Sequence, residues 1–155
     1  MATLTEPRWT HVAVPVTDLD RSIEFYEAVT PLVLVTKNVD SNGRGAWLSN
    51  KGQVETPFVL VLAEFKPEVA VQFDIQPGVP HRTFGPFAHI GVELPNREDV
   101  DTVADKAREL GRLQWEPRDM AAHIGYICAV TDPDGNIIEF SHNQKVYSTI
   151  TELWG

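Results

Sequence analysis

His11 and His89 stand in two segments that read alike, Thr10-His11-Val12-Ala13-Val14 and Ala88-His89-Ile90-Gly91-Val92, half a chain apart. Each histidine lies on an apolar alternation with the period of a half-buried strand, and a helix-like stretch follows each. Two residues after each histidine comes a small residue, Ala13 or Gly91. A strand face lined this way leaves room for a ligand, where a core face would be filled by bulk. Glu139 completes the candidate set. In the strand pattern over 136–142 it shares a face with Ile137 and Ser141, opposite Ile138 and Phe140, and a carboxylate among apolar neighbours needs a partner. Two neutral imidazoles and one carboxylate find that partner in a divalent ion, with coordination positions left for water and substrate. Zn, Ni, Co, Mn and Fe(II) all accept these donors, so the residue types leave the metal's identity open. Each residue alone also suits a structural role; the internal repeat is what joins them into one site.

The elements that must position these side chains also come twice. In the first half, a strand over 9–16 is followed by Asp18, an N-cap for a helix carrying Leu19, Ile23 and Tyr26 at helical spacing. Strands are then expected over 32–37, 45–50 and 57–65, with Asn42-Gly43 and Asn50-Lys51-Gly52 as turn signals. The second half repeats the order. A strand over 87–94 precedes an Asn96-capped helix to Leu110, with Val100, Val103, Ala107 and Leu110 inward and Gly111 ending it. Strands follow over 113–116, 122–131 and 136–142, the last two joined by Asp132-Pro133-Asp134-Gly135. This is an α+β pattern of two modules, about 8–65 and 87–142. Between them lies a loop-like linker over 66–86, broken by Pro67, Pro77, Pro80 and Pro86, and a tail over 143–155 follows.

Composition excludes several classes. The chain has 155 residues, 43% of them hydrophobic, which is enough for a well-buried core. A net charge of -9 with no basic run opposes a phosphate backbone, so nucleic acid is not an expected partner. No stretch approaches the roughly 18 apolar residues of a membrane span. Met1 to Pro7 lacks a basic stretch followed by an apolar one, so the expectation is a soluble cytoplasmic protein. Cys128 is the only cysteine and sits in an apolar run, the setting of a buried inert thiol.

Three blocks, HVAVPVTDLDRSIEFYEAV, FAHIGVELP and the closing VTDPDGNIIEF, make the chain similar to the vicinal oxygen chelate superfamily. That superfamily includes glyoxalase I, extradiol ring-cleaving dioxygenases, and fosfomycin and bleomycin resistance proteins. The resemblance covers nearly the whole chain. It implies paired βαβββ modules forming an incomplete, cup-shaped mixed β-barrel around a metal, with His11, His89 and Glu139 where the family places its ligands. It also implies dimerisation. Two departures matter. Glyoxalase I relatives supply a fourth ligand from the last strand of the first module, and that place falls near Val61, with Glu64 three residues on and facing the other side unless a bulge intervenes. The ring-cleaving signature has a tyrosine where Ala129 stands here.

The expected function is that of a metal-dependent enzyme on a small oxygenated molecule, with glyoxalase-like lyase or isomerase chemistry. His11, His89 and Glu139 are the ligands, and His123 or Glu64 is the acid or base. His123 is chosen because it falls at the start of the strand paired with that of Glu139. The alternatives are an Fe(II) extradiol-type dioxygenase using the same triad, or a metal-independent, ligand-sequestering protein of the bleomycin-resistance kind. Trp9, Trp47 and Trp115 would line the groove of such a protein. His81 is expected in solvent and His142 in a structural role. Tyr147 and Trp154 belong to a tail that closes the site or packs on a partner subunit.

Overall fold

The computed structural model describes residues 6–155; Met1 to Thr5, part of the segment read for a leader, lie outside the described residues. The chain forms two compact units, Met1–His81 and Arg82–Gly155. The first runs β1 (Val12–Pro15), α1 (Leu19–Val29), β2 (Val33–Val39), β3 (Gly43–Ser49) and β4 (Val59–Phe65), then the short helix α2 (Pro67–Ala70) and a single 3-10 turn at Val71–Phe73. The second runs β5 (Ile90–Glu93), α3 (Arg97–Glu109), β6 (Leu113–Asp119), β7 (Tyr126–Thr131), β8 (Ile137–His142) and α4 (Val146–Trp154). Each unit builds one mixed four-stranded sheet, ordered β1-β4-β3-β2 and β5-β8-β7-β6. The fold is α+β, and neither sheet closes into a barrel.

The helices form where caps and apolar spacing coincide. Asp18 is extended and its carboxylate accepts the Arg21 N–H at 3.0 Å, which starts α1. Leu19, Ile23, Phe25, Tyr26 and Val29 then bury one face of that helix, and Val14, Ala46, Leu48, Leu60 and Leu62 are almost wholly buried in the sheet. In the second unit Asn96 and Asp99 form a reciprocal capping box at α3. Its buried stripe is Val100, Ala104 and Ala107. Leu110, expected inward, is the C-cap and 54% exposed, because the helix ends before its side chain can reach the sheet. Cys128 is buried with its thiol 3.6 Å from the Val100 carbonyl, and burial pushes its pKa up to about 12.

Three segments depart from the sequence reading. The linker winds into α2, because Pro67 at the first helical position needs no N–H partner. The strand expected from 122 begins only at Tyr126; Ala121 to Gly125 form a turn, with Gly125 at φ +85° and its N–H donating to the Ala121 carbonyl. The tail forms the nine-residue helix α4.

The β7–β8 turn is tied down from inside. Asp132 and Asn136 are both fully buried. One Asp132 carboxylate oxygen accepts the Asp134 and Asn136 N–H groups, and the other accepts the Asn136 side-chain amide. The Asn136 amide oxygen in turn accepts the N–H groups of Thr83 and Phe84, at 2.7 and 2.8 Å. One side chain thus anchors the strand that carries Glu139 to the segment leading into β5. Asn136→Ala is expected to destabilise by about 3 kcal/mol, because the orphaned groups cannot reach water. Urea unfolding measures this, and a loss below about 1 kcal/mol would contradict the account.

Candidate functional site

The two sheets place their candidate residues at matching positions. In the first, β1 runs parallel to β4 with Ala13 opposite Val61, and Val61 is opposite Trp47 on β3. In the second, β5 runs parallel to β8 with Gly91 opposite Glu139, and Glu139 is opposite Ala129 on β7. Val61 is therefore the counterpart of Glu139, and the first sheet offers no donor where the second offers a carboxylate. His11 and His89 each stand just before their strand, two residues ahead of Ala13 and Gly91.

His89 and Glu139 meet within the second unit. The His89 Nε2 lies 3.5 Å from a Glu139 carboxylate oxygen, with Glu139 only 5% exposed. Two donors bound about 2.1 Å from one ion at tetrahedral angles lie roughly 3.4 Å apart, so this pair fits a shared cation. Both side chains are held from behind. The His89 Nδ1 is 2.6 Å from the Phe87 carbonyl, a contact that calls for Nδ1–H as donor and leaves the Nε2 lone pair facing the carboxylate. The Phe87 and Trp115 rings meet the imidazole edge-on, with centroids 5.5 and 5.8 Å away. The Gln144 amide donates to the second oxygen of Glu139 at 3.3 Å. Beside Glu139, a Cβ added to Gly91 would meet no atom within 4 Å, so the ground next to the carboxylate is open.

His11 is exposed, with its Nδ1 2.8 Å from the Thr10 hydroxyl. Among the described residues, neither unit by itself gathers three His, Cys, Asp or Glu side chains able to hold a metal. Glu64 lies three residues beyond Val61 and is engaged elsewhere. It takes two hydrogen bonds from Arg44, at 2.7 and 3.1 Å, and accepts the first helical N–H of α1, from Leu19, at 2.6 Å. A carboxylate at a helix N-terminus satisfies an orphan donor and opposes the helix dipole. The Glu64 and Asp20 carboxylates together hold the Arg44 guanidinium well above its ordinary pKa.

His123 does not open β7; it is exposed in the turn before it. Tyr126, at the start of β7, pairs with His142, so His123 lies beyond the ladder's end. That end is three residues, or about 10 Å, from Glu139. His142 directs its Nδ1 to the Leu94 carbonyl at 3.2 Å, and His81 is exposed. Trp9 is almost fully exposed. Trp47 lines a largely apolar groove of about 450 Å³ with Val33, Val35, Val54, Pro57 and Val59. Tyr147 and Trp154 are exposed on α4. Gln144 and the Phe87 carbonyl were not singled out from sequence. Gln144 follows Asn143, a residue type that favours the sharp turn needed to bring a side chain back over the strand, and that was the available signal.

The model of the Glyoxalase/Bleomycin resistance protein/Dioxygenase superfamily matches residues 8–140. An uncharacterized protein of Pseudomonas aeruginosa is 34% identical over 140 residues, covering 90% of this chain and 91% of its own. A probable lactoylglutathione lyase of Vibrio cholerae is 25% identical over 150 residues, covering 94% and 97%. Among solved structures, the antibiotic binding protein TnmS3 from Streptomyces sp. CB03234 shares the fold with a TM-score of 0.61 at 20% identity, over 90% of this chain and 98% of that one. Among the described residues, no helix is long and apolar enough to cross a membrane.

The Phe87 contact fixes a tautomer that can be observed. Nitrogen-15 NMR of the metal-free protein, at a pH where the ring is neutral, should find the His89 proton on Nδ1. A proton on Nε2 would contradict the proposed donor geometry.

Proposed function

Because this chain belongs to the Glyoxalase/Bleomycin resistance protein/Dioxygenase superfamily, we propose that it is a divalent-metal-dependent enzyme acting on a small oxygenated molecule, with lyase or isomerase chemistry of the glyoxalase kind. One observation carries the reading: a buried carboxylate, Glu139, faces the Nε2 of His89, and each side chain is oriented by a second group. A structural carboxylate would ordinarily be given a basic side chain or several N–H donors. In our proposal His89 and Glu139 hold the ion, and His11 is the third ligand on the strength of the sequence repeat. Bound there, a divalent ion supplies a chelating point for neighbouring substrate oxygens and Lewis-acid stabilisation of the anion left when a proton departs.

The chain's own residues supply the rest. Gly91 leaves the space in which a small molecule can approach Glu139. Phe87 and Trp115 flank the imidazole with apolar surface. Of the residues proposed to move a proton, both Glu64 oxygens are engaged; His123 presents an exposed imidazole, but beyond a ladder end that is itself about 10 Å from Glu139, so this role needs a substrate that spans the distance. A second reading, ligand sequestration without metal, draws on the apolar groove beside Trp47.

Metal analysis tests the main reading. The purified protein should carry about one divalent ion per chain, and His89→Ala should bind it at least 10-fold more weakly. Wild type that takes up no ion, while binding small apolar ligands equally with and without chelator, would replace enzyme by sequestration. Iron content with oxygen uptake on catechols would move the reading to ring cleavage.

Gly91 gives an independent check. A glycine inside a strand costs roughly 0.5–1 kcal/mol relative to alanine, and nothing in the fold crowds this position. Gly91→Val should therefore retain or raise thermal stability and keep the metal, yet reduce small-molecule binding by 10-fold or more as the side chain fills the approach. Unchanged ligand affinity would remove Gly91 from the site.

A further inference from the structure

We infer that Gln144 is a positioning residue that makes Glu139 a one-oxygen ligand; this rests on the metal reading above. The Ser141 hydroxyl donates to the Gln144 amide oxygen at 3.3 Å, and the Gln144 amide nitrogen donates to one Glu139 oxygen at 3.3 Å. The first bond sets which end of the amide faces the carboxylate. The second occupies one carboxylate oxygen, and the other is the oxygen 3.5 Å from the His89 Nε2. A carboxylate held this way presents a single oxygen to a cation, which keeps one more coordination position for substrate than a two-oxygen grip.

The backbone around Gln144 is built to place it. Among the described residues, three other than glycine have φ in the left-handed region, and two of them, Asn143 at 66° and Lys145 at 63°, flank Gln144. Asparagine adopts this conformation readily; for lysine it costs about 1 kcal/mol. The Lys145 N–H is tied to a Glu93 carboxylate oxygen at 3.1 Å, which offsets that cost. Glu93 lies on β5 opposite Ser141, as Gly91 lies opposite Glu139. The turn after β8 is thereby fastened to both strands of the site, and Gln144 is returned over the strand to the carboxylate five residues earlier. Lys145 is also the residue that leads into α4. Backbone held in sparsely populated conformations gathers where geometry serves function.

Cobalt(II) binding tests the inference, with affinity measured by chelator competition, the visible spectrum of the loaded protein, and melting of the metal-free protein. Gln144→Met keeps the length and removes the donor. It should weaken cobalt binding 10- to 100-fold, alter the ligand-field bands, and leave metal-free melting unchanged. Ser141→Ala should weaken binding less, and the double variant should bind no worse than Gln144→Met alone, since both act through one hydrogen-bond chain. Where Ser141→Ala lowers metal-free melting, the Gln144→Met result decides. Wild-type affinity and spectrum in Gln144→Met would overturn the inference while leaving the metal reading intact, as would a loss matched by lower metal-free melting. A wild-type protein that binds no cobalt would overturn the metal reading itself, and the inference with it.

Discussion

The parallel pairing of β5 with β8 is the constraint on which the candidate chemistry rests. It sets Gly91 against Glu139 and so brings the imidazole two residues upstream within 3.5 Å of the carboxylate. Side chains alternate along a strand, so a slip of one residue would turn Glu139 toward α3 and bring a core residue such as Ile138 or Phe140 to the open face. Burial on the other face resists that slip: Phe140, Ile138, Cys128 and Val130 are almost wholly buried. The Asp132–Asn136 network resists it a second time, by joining the β7–β8 turn to the chain ahead of β5 through one buried amide. Core packing and site geometry thus depend on the same register.

The halves share topology and differ in chemistry. At the position where the second sheet carries Glu139, the first carries Val61, and across from these stand Ala129 and Trp47. The first half has an aromatic side chain and an apolar groove on this strand face, where the second has a buried carboxylate. Its own strand acid, Glu64, lies three residues beyond Val61, accepts the first helical N–H of α1 and pairs with Arg44.

Much of this was legible in the sequence. The strand and helix order followed from alternation, from the caps Asp18 and Asn96, and from the Asp-Pro-Asp-Gly turn, all local signals with a physical cause. Glu139 stood out because a carboxylate on an otherwise apolar strand demands a partner, and its pairing with His89 follows once the strands are parallel neighbours. Val61, read as standing where glyoxalase I relatives carry a fourth ligand, occupies the ladder position in the first sheet that Glu139 occupies in the second. What escaped is what depends on turns. Ala121 to Gly125 belong to a turn held by a left-handed glycine, so His123 lies outside the ladder and does not open the strand paired with that of Glu139. Helix α2 is too short for a periodicity to register, and α4 follows a turn whose two left-handed residues no apolar pattern announces. Gln144 went unseen for the same reason, since its reach to Glu139 is made by backbone conformation rather than by residue spacing.

The central claim is that His89 and Glu139 grip one cation. An anomalous-scattering map from crystals of the cobalt-loaded protein tests it most directly. The account predicts a single strong peak within about 2.3 Å of the His89 Nε2 and of one Glu139 oxygen, with the other oxygen still facing Gln144. A peak elsewhere, or Glu139 satisfied by a basic side chain with no metal beside it, would contradict it.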